Sequence, residues 1–287
     1  PVASALRDAQ RVLLCPEGIF NYLPWGALVV SEQKGKPIYW IEQKSIHLTS
    51  SASVYQQARG VQTHTQGVAI ASVSKYGGRK VLAQRHSPTD SLSRRASRSG
   101  RLDDLRHVPV ETEQIRRLFG AQVRLLRESQ ARPESVRVAA QQARVIHFAC
   151  HALADSYNPV NSALLLSPAA KEDGALFADE VITRWRLRAD LVMLSACETH
   201  IGLARRYEGI YGLSRAFLYA GSRSVGASLW RVDDTSTAIL MSEFYRQYKQ
   251  RVPKDKALQI AQQQLLRNPR YRDPYFWAGF VLIGDYR

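Results

Sequence analysis

Cysteine is scarce in this chain. Cys15, Cys150 and Cys197 are three in 287 residues, an odd and widely spaced set. That argues against a disulfide framework and makes a reducing cytosol the expected compartment. Long apolar runs are also missing. None approaches the roughly 20 residues of a membrane span, so no membrane partner is expected. No secretory signal opens the chain, which begins at Pro1 and not Met, as a fragment or a processed product would. Acidic residues are in deficit, 25 against 40 Lys and Arg, leaving a net charge of +15. Such a field attracts anionic partners and nucleic acid. The excess is densest from Arg79 to Arg106, yet no Phe, Tyr or Trp interleaves with the arginines from His86 to Arg106. A base-stacking platform is therefore not indicated there. Nucleic acid remains a partner that the basic surface permits, not the main function.

What is present is an ordinary globular balance, 45% hydrophobic and 23% charged, with ample material for a core. Short apolar runs predict strands at 12–15, 23–30, 46–49 and 68–72, with a helix over 52–59 capped by Ser50 or Ser51. Residues from Lys75 to about 104, rich in Gly, Ser and Arg, read as a long flexible loop, either a disordered insertion or a processing site. Beyond it helices (110–119, 135–142, 178–185, 208–220, 235–250, 254–267) alternate with strands (123–126, 144–151, 164–166, 190–197, 224–229, 280–283). That rhythm predicts a single α/β domain over 1–287, a mostly parallel sheet sandwiched between helices. Cys15, closing the first strand, is expected to be a small buried hydrophobe.

Two of these strands stop at reactive residues. Arg144-Val-Ile-His-Phe-Ala-Cys-His151 ends in a histidine, and Asp190-Leu-Val-Met-Leu-Ser-Ala-Cys197 ends in a cysteine. In parallel sheets ligands bind beyond the carboxyl ends of the strands. An imidazole delivered there beside a thiol can take its proton, and the thiolate then attacks a carbonyl. His151 precedes Cys197 by 46 residues, and the cysteine follows Ser-Ala. That order and spacing suit a caspase-type site, not a papain-type one, where the cysteine comes first.

Five ordered segments extend the likeness: His147-Phe-Ala-Cys-His151, Leu194-Ser-Ala-Cys-Glu-Thr199, Leu213-Ser-Arg-Ala-Phe-Leu-Tyr-Ala-Gly221, Ser228-Leu-Trp-Arg-Val-Asp-Asp234 and Tyr275-Phe-Trp-Ala-Gly-Phe-Val-Leu-Ile-Gly284. With Val12-Leu-Leu-Cys-Pro-Glu-Gly18 and Leu23-Pro-Trp-Gly-Ala-Leu28 before them, the chain resembles a CHAT domain from about residue 10 to its end. CHAT domains are caspase-clan peptidases, usually found behind tetratricopeptide repeats in prokaryotes. The resemblance implies a caspase-like three-layer α/β/α sandwich and a cytoplasmic cysteine endopeptidase that cleaves a partner protein. It also implies control by a repeat or sensor module, attached N-terminally or acting in trans. The alternative is a catalytically inactive interaction scaffold of the same fold.

The resemblance assigns Cys197 as nucleophile, His151 as base and then acid, and the backbone N–H groups of Cys197 and Ala152 as the oxyanion pair. Two positions depart from the family pattern: Ala152 and His200 stand where glycine is common. Separases of the same clan carry an acidic residue after a Leu-Trp-x-Val segment, where it helps bind a basic P1 side chain. That makes Asp233 and Asp234, with Trp230, the substrate-binding candidates. The competing role for either aspartate is the N-cap of the helix that follows. Trp230 either lines the groove or packs the core, and Glu198 and Asp155 flank the dyad. No cofactor is called for. Zinc is weighed because Cys197-Glu-Thr-His200 has Cys-x-x-His spacing. His147 and His151 share one strand parity while Cys150 has the other, so they do not converge, and no metal site is assigned. His147, mid-strand, is expected to be a hydrogen-bonded core histidine.

Overall fold

The computed structural model describes residues 6–79, 102–155, 158–169, 173–195, 197–198, 209–230 and 232–287, with 197–198 and 209–211 as backbone. Its strands are β1 Arg11–Leu14, β2 Val29–Gln33, β3 Lys36–Tyr39, β4 Ser45–Leu48, β5 Val68–Ser72, β6 Val123–Arg127 and β7 Val145–Ala149, then β8 His151–Leu153, β9 Ala163–Leu165, β10 Ala175–Phe177, β11 Leu191–Leu194, β12 Cys197–Glu198, β13 Ser224–Ser228 and β14 Phe280–Gly284. Among the described residues eight strands form one sheet in the order β1-β4-β14-β13-β11-β7-β5-β6. Every pairing in it is parallel except β13 with β14.

Strand parity builds the layers. On β7 and β11, Ile146, Phe148, Val192 and Leu194 pack on one face against α3 Pro133–Ala140, α4 Ala178–Arg184 and α5 Gly209–Tyr219. Val145, Leu191 and Met193 point to the other face, against α2 Val108–Phe119, α6 Asp234–Lys249 and α7 Lys254–Arg267. An earlier helix, α1 Ala52–Gly60, is capped by Ser51, whose Oγ accepts from Val54 N–H. This is the three-layer α/β/α sandwich read from the alternation of elements. No helix of the described residues is long and apolar enough to cross a membrane.

Several local readings are corrected. Residues 23–28 are not a strand: 3-10 turns occupy Gly18–Tyr22 and Trp25–Ala27, and strand geometry begins at Val29, in a β2–β3 hairpin outside the main sheet. Cys15 is exposed, because β1 is the edge strand and ends one residue earlier. The two motif strands are each broken in two. β7 stops at Ala149 and β8 starts at His151; β11 stops at Leu194 and β12 starts at Cys197. At the ends of the long loop exposed residues such as Lys75, Gly77, Asp103 and Asp104 alternate with anchored ones. Tyr76, Leu102 and Leu105 are buried, and Leu102 N–H donates to Arg79 O while Leu105 N–H donates to Ser74 O. Residues 80–101 lie outside the described residues.

Candidate active site

The breaks in the two motif strands create the site. After β7 and β11 the chain leaves the main sheet and enters a second, four-stranded sheet ordered β10-β9-β8-β12. There β8 and β12 run parallel, with Cys197 in register with His151 and Glu198 with Ala152. Neighbouring strands lie about 4.8 Å apart, so residues at one register position are within side-chain reach. The pair thus lies beyond the carboxyl ends of two adjacent parallel strands, where such sheets bind ligands.

His151 is 1% exposed, and its Nε2 lies 2.8 Å from the backbone carbonyl of Asp103. A carbonyl only accepts, so Nε2 carries a proton, and in the neutral imidazole the lone pair is then on Nδ1. That tautomer is the one a base acting through Nδ1 requires. Asp103 lies two residues beyond the undescribed segment, in a stem held by Asp104, whose Oδ1 accepts from Tyr76 N–H at 2.7 Å and Gly77 N–H at 3.1 Å. These two backbone bonds hold the Asp104 carboxyl below its usual range.

Beside the dyad a small open pocket is lined by Leu105, Val108, Glu111, Ser195, Asp234 and Thr237. Ser195 follows the end of β11, two residues before Cys197, and its buried Oγ has no hydrogen-bond partner among the described residues. Glu111 is 3% exposed. His147 Nε2 approaches Glu111 Oε1 at 3.0 Å but off the axis of a straight hydrogen bond. His147 Nδ1 meets Tyr245 Oη at 3.0 Å. His147 is therefore a buried, partnered histidine that backs the pocket. Two carboxylates line this pocket: Glu111, which is buried, and Asp234, which is half-buried.

The predicted substrate-binding residues separate in space. Asp234 lines the pocket. Asp233 caps α6: its Oδ1 accepts from Ser236 N–H at 2.9 Å. Trp230 packs on Gly279, and its Nε1–H donates to Tyr275 O at 3.1 Å. Ala152 is buried in β8 without a positive φ, so glycine's special freedom is not needed at that position. His200 and the side chains of Cys197 and Glu198 lie outside the described residues. Asp155 N–H donates to Ser162 Oγ at 3.0 Å, beyond the end of β8.

Three contributors escaped sequence reasoning. Asp103 acts through its carbonyl, which every residue possesses, so no side-chain signal exists. Tyr76 was an isolated aromatic in a loop-like stretch. Glu111 did leave a trace: Val108, Thr112 and Ile115 share its buried helical face, where a carboxylate is out of place.

A family model described as CHAT domain matches residues 1–285. Tetratricopeptide repeat protein 28 of Mus musculus is 31% identical over 100 residues, 35% of this chain and 4% of that protein. The Homo sapiens protein of the same name is 34% identical over 78 residues, 27% of this chain and 3% of its own length. The chain thus corresponds to a few per cent of these relatives, and both are mammalian, where a prokaryotic setting was expected. Among solved structures, the Saccharomyces cerevisiae separase–securin complex superposes with a TM-score of 0.54 at 13% identity, over 92% of this chain and 15% of that chain. The Arg specific cysteine proteinase gingipain R gives 0.51 at 8% identity, over 85% of this chain and 55% of that chain. At these identities the likeness is one of fold.

Proposed function

The chain belongs to the CHAT domain family, and on that premise we propose that it is a cysteine endopeptidase working through a His151/Cys197 dyad. The observation that carries this reading is the parallel register of Cys197 with His151, combined with the Asp103 carbonyl that leaves Nδ1 as the base. In the proposed reaction Nδ1 takes the Sγ–H proton of Cys197, and the thiolate attacks the scissile carbonyl carbon. The C=O electron pair moves onto oxygen, where the backbone N–H groups of Cys197 and Ala152 receive it. Losing one such donor costs about 3 kcal/mol of transition-state stabilisation. Collapse of the intermediate expels the amine, which takes the proton from Nδ1, and water then hydrolyses the thioester.

In this reading the substrate is a partner protein with Arg or Lys at P1, whose cation approaches the half-buried Asp234 at the rim of the pocket. Asp233 is set aside from this role because it caps α6 and does not line the pocket. An attached repeat module is the proposed switch, supported by the two tetratricopeptide repeat relatives.

The test is iodoacetamide labelling against pH, localised by mass spectrometry, in the wild type and in His151→Ala. Rapid labelling of Cys197 below pH 7, lost without His151, is the expected result. An ordinary thiol profile in both proteins supports the non-catalytic scaffold instead.

A further inference from the structure

His151 is held by a side chain that neither the fold nor the dyad chemistry calls for. In the second sheet β8 runs antiparallel to β9, with His151 directly opposite Leu165. Facing residues in such a ladder normally exchange direct N–H···O=C bonds or none at all. Here a hydroxyl stands between them. Tyr76 Oη accepts from His151 N–H at 3.0 Å and donates to Leu165 O at 2.7 Å. The Tyr76 ring also packs on the imidazole, centroids 4.6 Å apart at 53°. Burial, with Cys150 nearby, raises the phenol well above its ordinary value, so it stays a donor at any working pH.

The tyrosine is itself firmly seated. Its N–H is held by Asp104, and two residues earlier Ser74 N–H and Oγ–H donate to Glu128 Oε1 at 3.0 and 2.6 Å. Glu128 itself has φ +44°, a left-handed conformation uncommon for a residue with a side chain. These bonds fix residues 74–77, and Tyr76 carries that anchoring to His151 through its hydroxyl and ring.

We propose that Tyr76 is a positioning residue for the dyad: its hydroxyl, inserted in the β8–β9 ladder, sets the backbone of His151, and its ring sets the plane of the imidazole. The inference rests on reading His151 and Cys197 as a dyad. When the Sγ proton moves to Nδ1, the imidazolium forms against the Tyr76 ring, whose π-face attracts a cation within about 6 Å. The titratable and charged residues acting on Tyr76 are Cys150, Arg79 and Glu128; Asp103 meets the imidazole through its backbone carbonyl, and Cys197 is in register with His151 on β12.

The experiment compares Cys197 alkylation by iodoacetamide at pH 6 and pH 9 in the wild type, Tyr76→Phe and His151→Ala, together with thermal midpoints. The ratio of the two rates reports the thiolate–imidazolium pair. Tyr76→Phe is expected to lower that ratio about tenfold while its thermal midpoint moves by only a few degrees. A ratio equal to the wild type's overturns the proposal, because a merely structural tyrosine changes the midpoint and leaves the pH profile alone. Should Tyr76→Phe not fold, 3-fluorotyrosine at position 76 keeps the hydroxyl and weakens it as an acceptor. It is expected to lower the ratio about twofold, and an unchanged ratio again overturns the proposal. If low-pH labelling is missing from the wild type, or survives in His151→Ala, the dyad reading itself fails and the role of Tyr76 falls with it.

Discussion

Lys254 Nζ lies 2.8 Å from Asp190 Oδ1, and both side chains are all but fully buried at the amino end of β11, opposite the dyad. Asp190 also accepts from Tyr248 Oη–H at 2.7 Å, and Arg144 and Arg223 approach it at 3.2 and 3.3 Å. The cluster ties α6 and α7 to the starts of three strands. Burial lowers the Lys254 pKa to about 8, opposed by Asp190. At neutral pH the pair is therefore ionised. Asp190→Asn leaves the ammonium buried without its counter-charge, at a cost of about 3 kcal/mol or more. Urea unfolding should show the midpoint falling at an unchanged slope. Adding Lys254→Met to that variant should restore much of the loss.

A second buried group predicts the acid limit of stability. His47 packs between the rings of Tyr55 and Tyr286, 4.0 Å from Asp255. Burial depresses its pKa to about 4; Arg11 pushes the same way, while Asp255 and Asp285 oppose. Between pH 6.5 and 4 the unfolded chain binds a proton at this position that the folded chain refuses. Stability therefore falls as pH falls through that window, by an amount on the order of 3 kcal/mol. His47→Gln should flatten the stability curve there. A slope identical to the wild type's counts against this assignment. The depressed carboxyl of Asp190 acts at lower pH, where falling pH starts to protonate the unfolded chain's aspartates.

The two adjacent aspartates should separate in function. Asp234→Asn is expected to lower kcat/KM for peptides with Arg at P1 by about tenfold or more, as loss of a charge-assisted contact does. Asp233→Asn keeps an N-cap side chain and should leave P1 preference intact, while Asp233→Ala costs about 1 kcal/mol in a thermal melt. Faster cleavage after Leu or Asp than after Arg or Lys in the wild type removes the basis for the charge-lined pocket.

The three thiols supply their own controls. Cys15 is exposed and should label in the native protein; Cys150 is fully buried and should label only after unfolding. Cys197 alone should label fast below pH 7. Peptide mapping of one time course distinguishes all three. Labelling of Cys150 at native rates would show that β7 and β8 open readily, contrary to the packing around them.

Reading residues in order already determined much of this protein. Continuous apolar runs such as Val145–Ala149 and Leu191–Leu194 specify strands buried on both faces, because only a sheet covered by helices hides every side chain of such a run. Those runs also put His151 and Cys197 beyond the carboxyl edge. What the chain order left undecided depends on contacts between distant segments. Whether a strand continues through Cys150 or breaks there, whether Asp233 or Asp234 turns to the pocket, and which nitrogen of His151 is protonated are settled by neighbours far away in sequence. The Asp103 carbonyl lies 48 residues from the imidazole it orients, and Tyr76 lies 75 residues from the ladder it enters. Backbone groups are alike in every residue, and a hydroxyl's partner depends on where the fold carries it. Tertiary structure alone decided those.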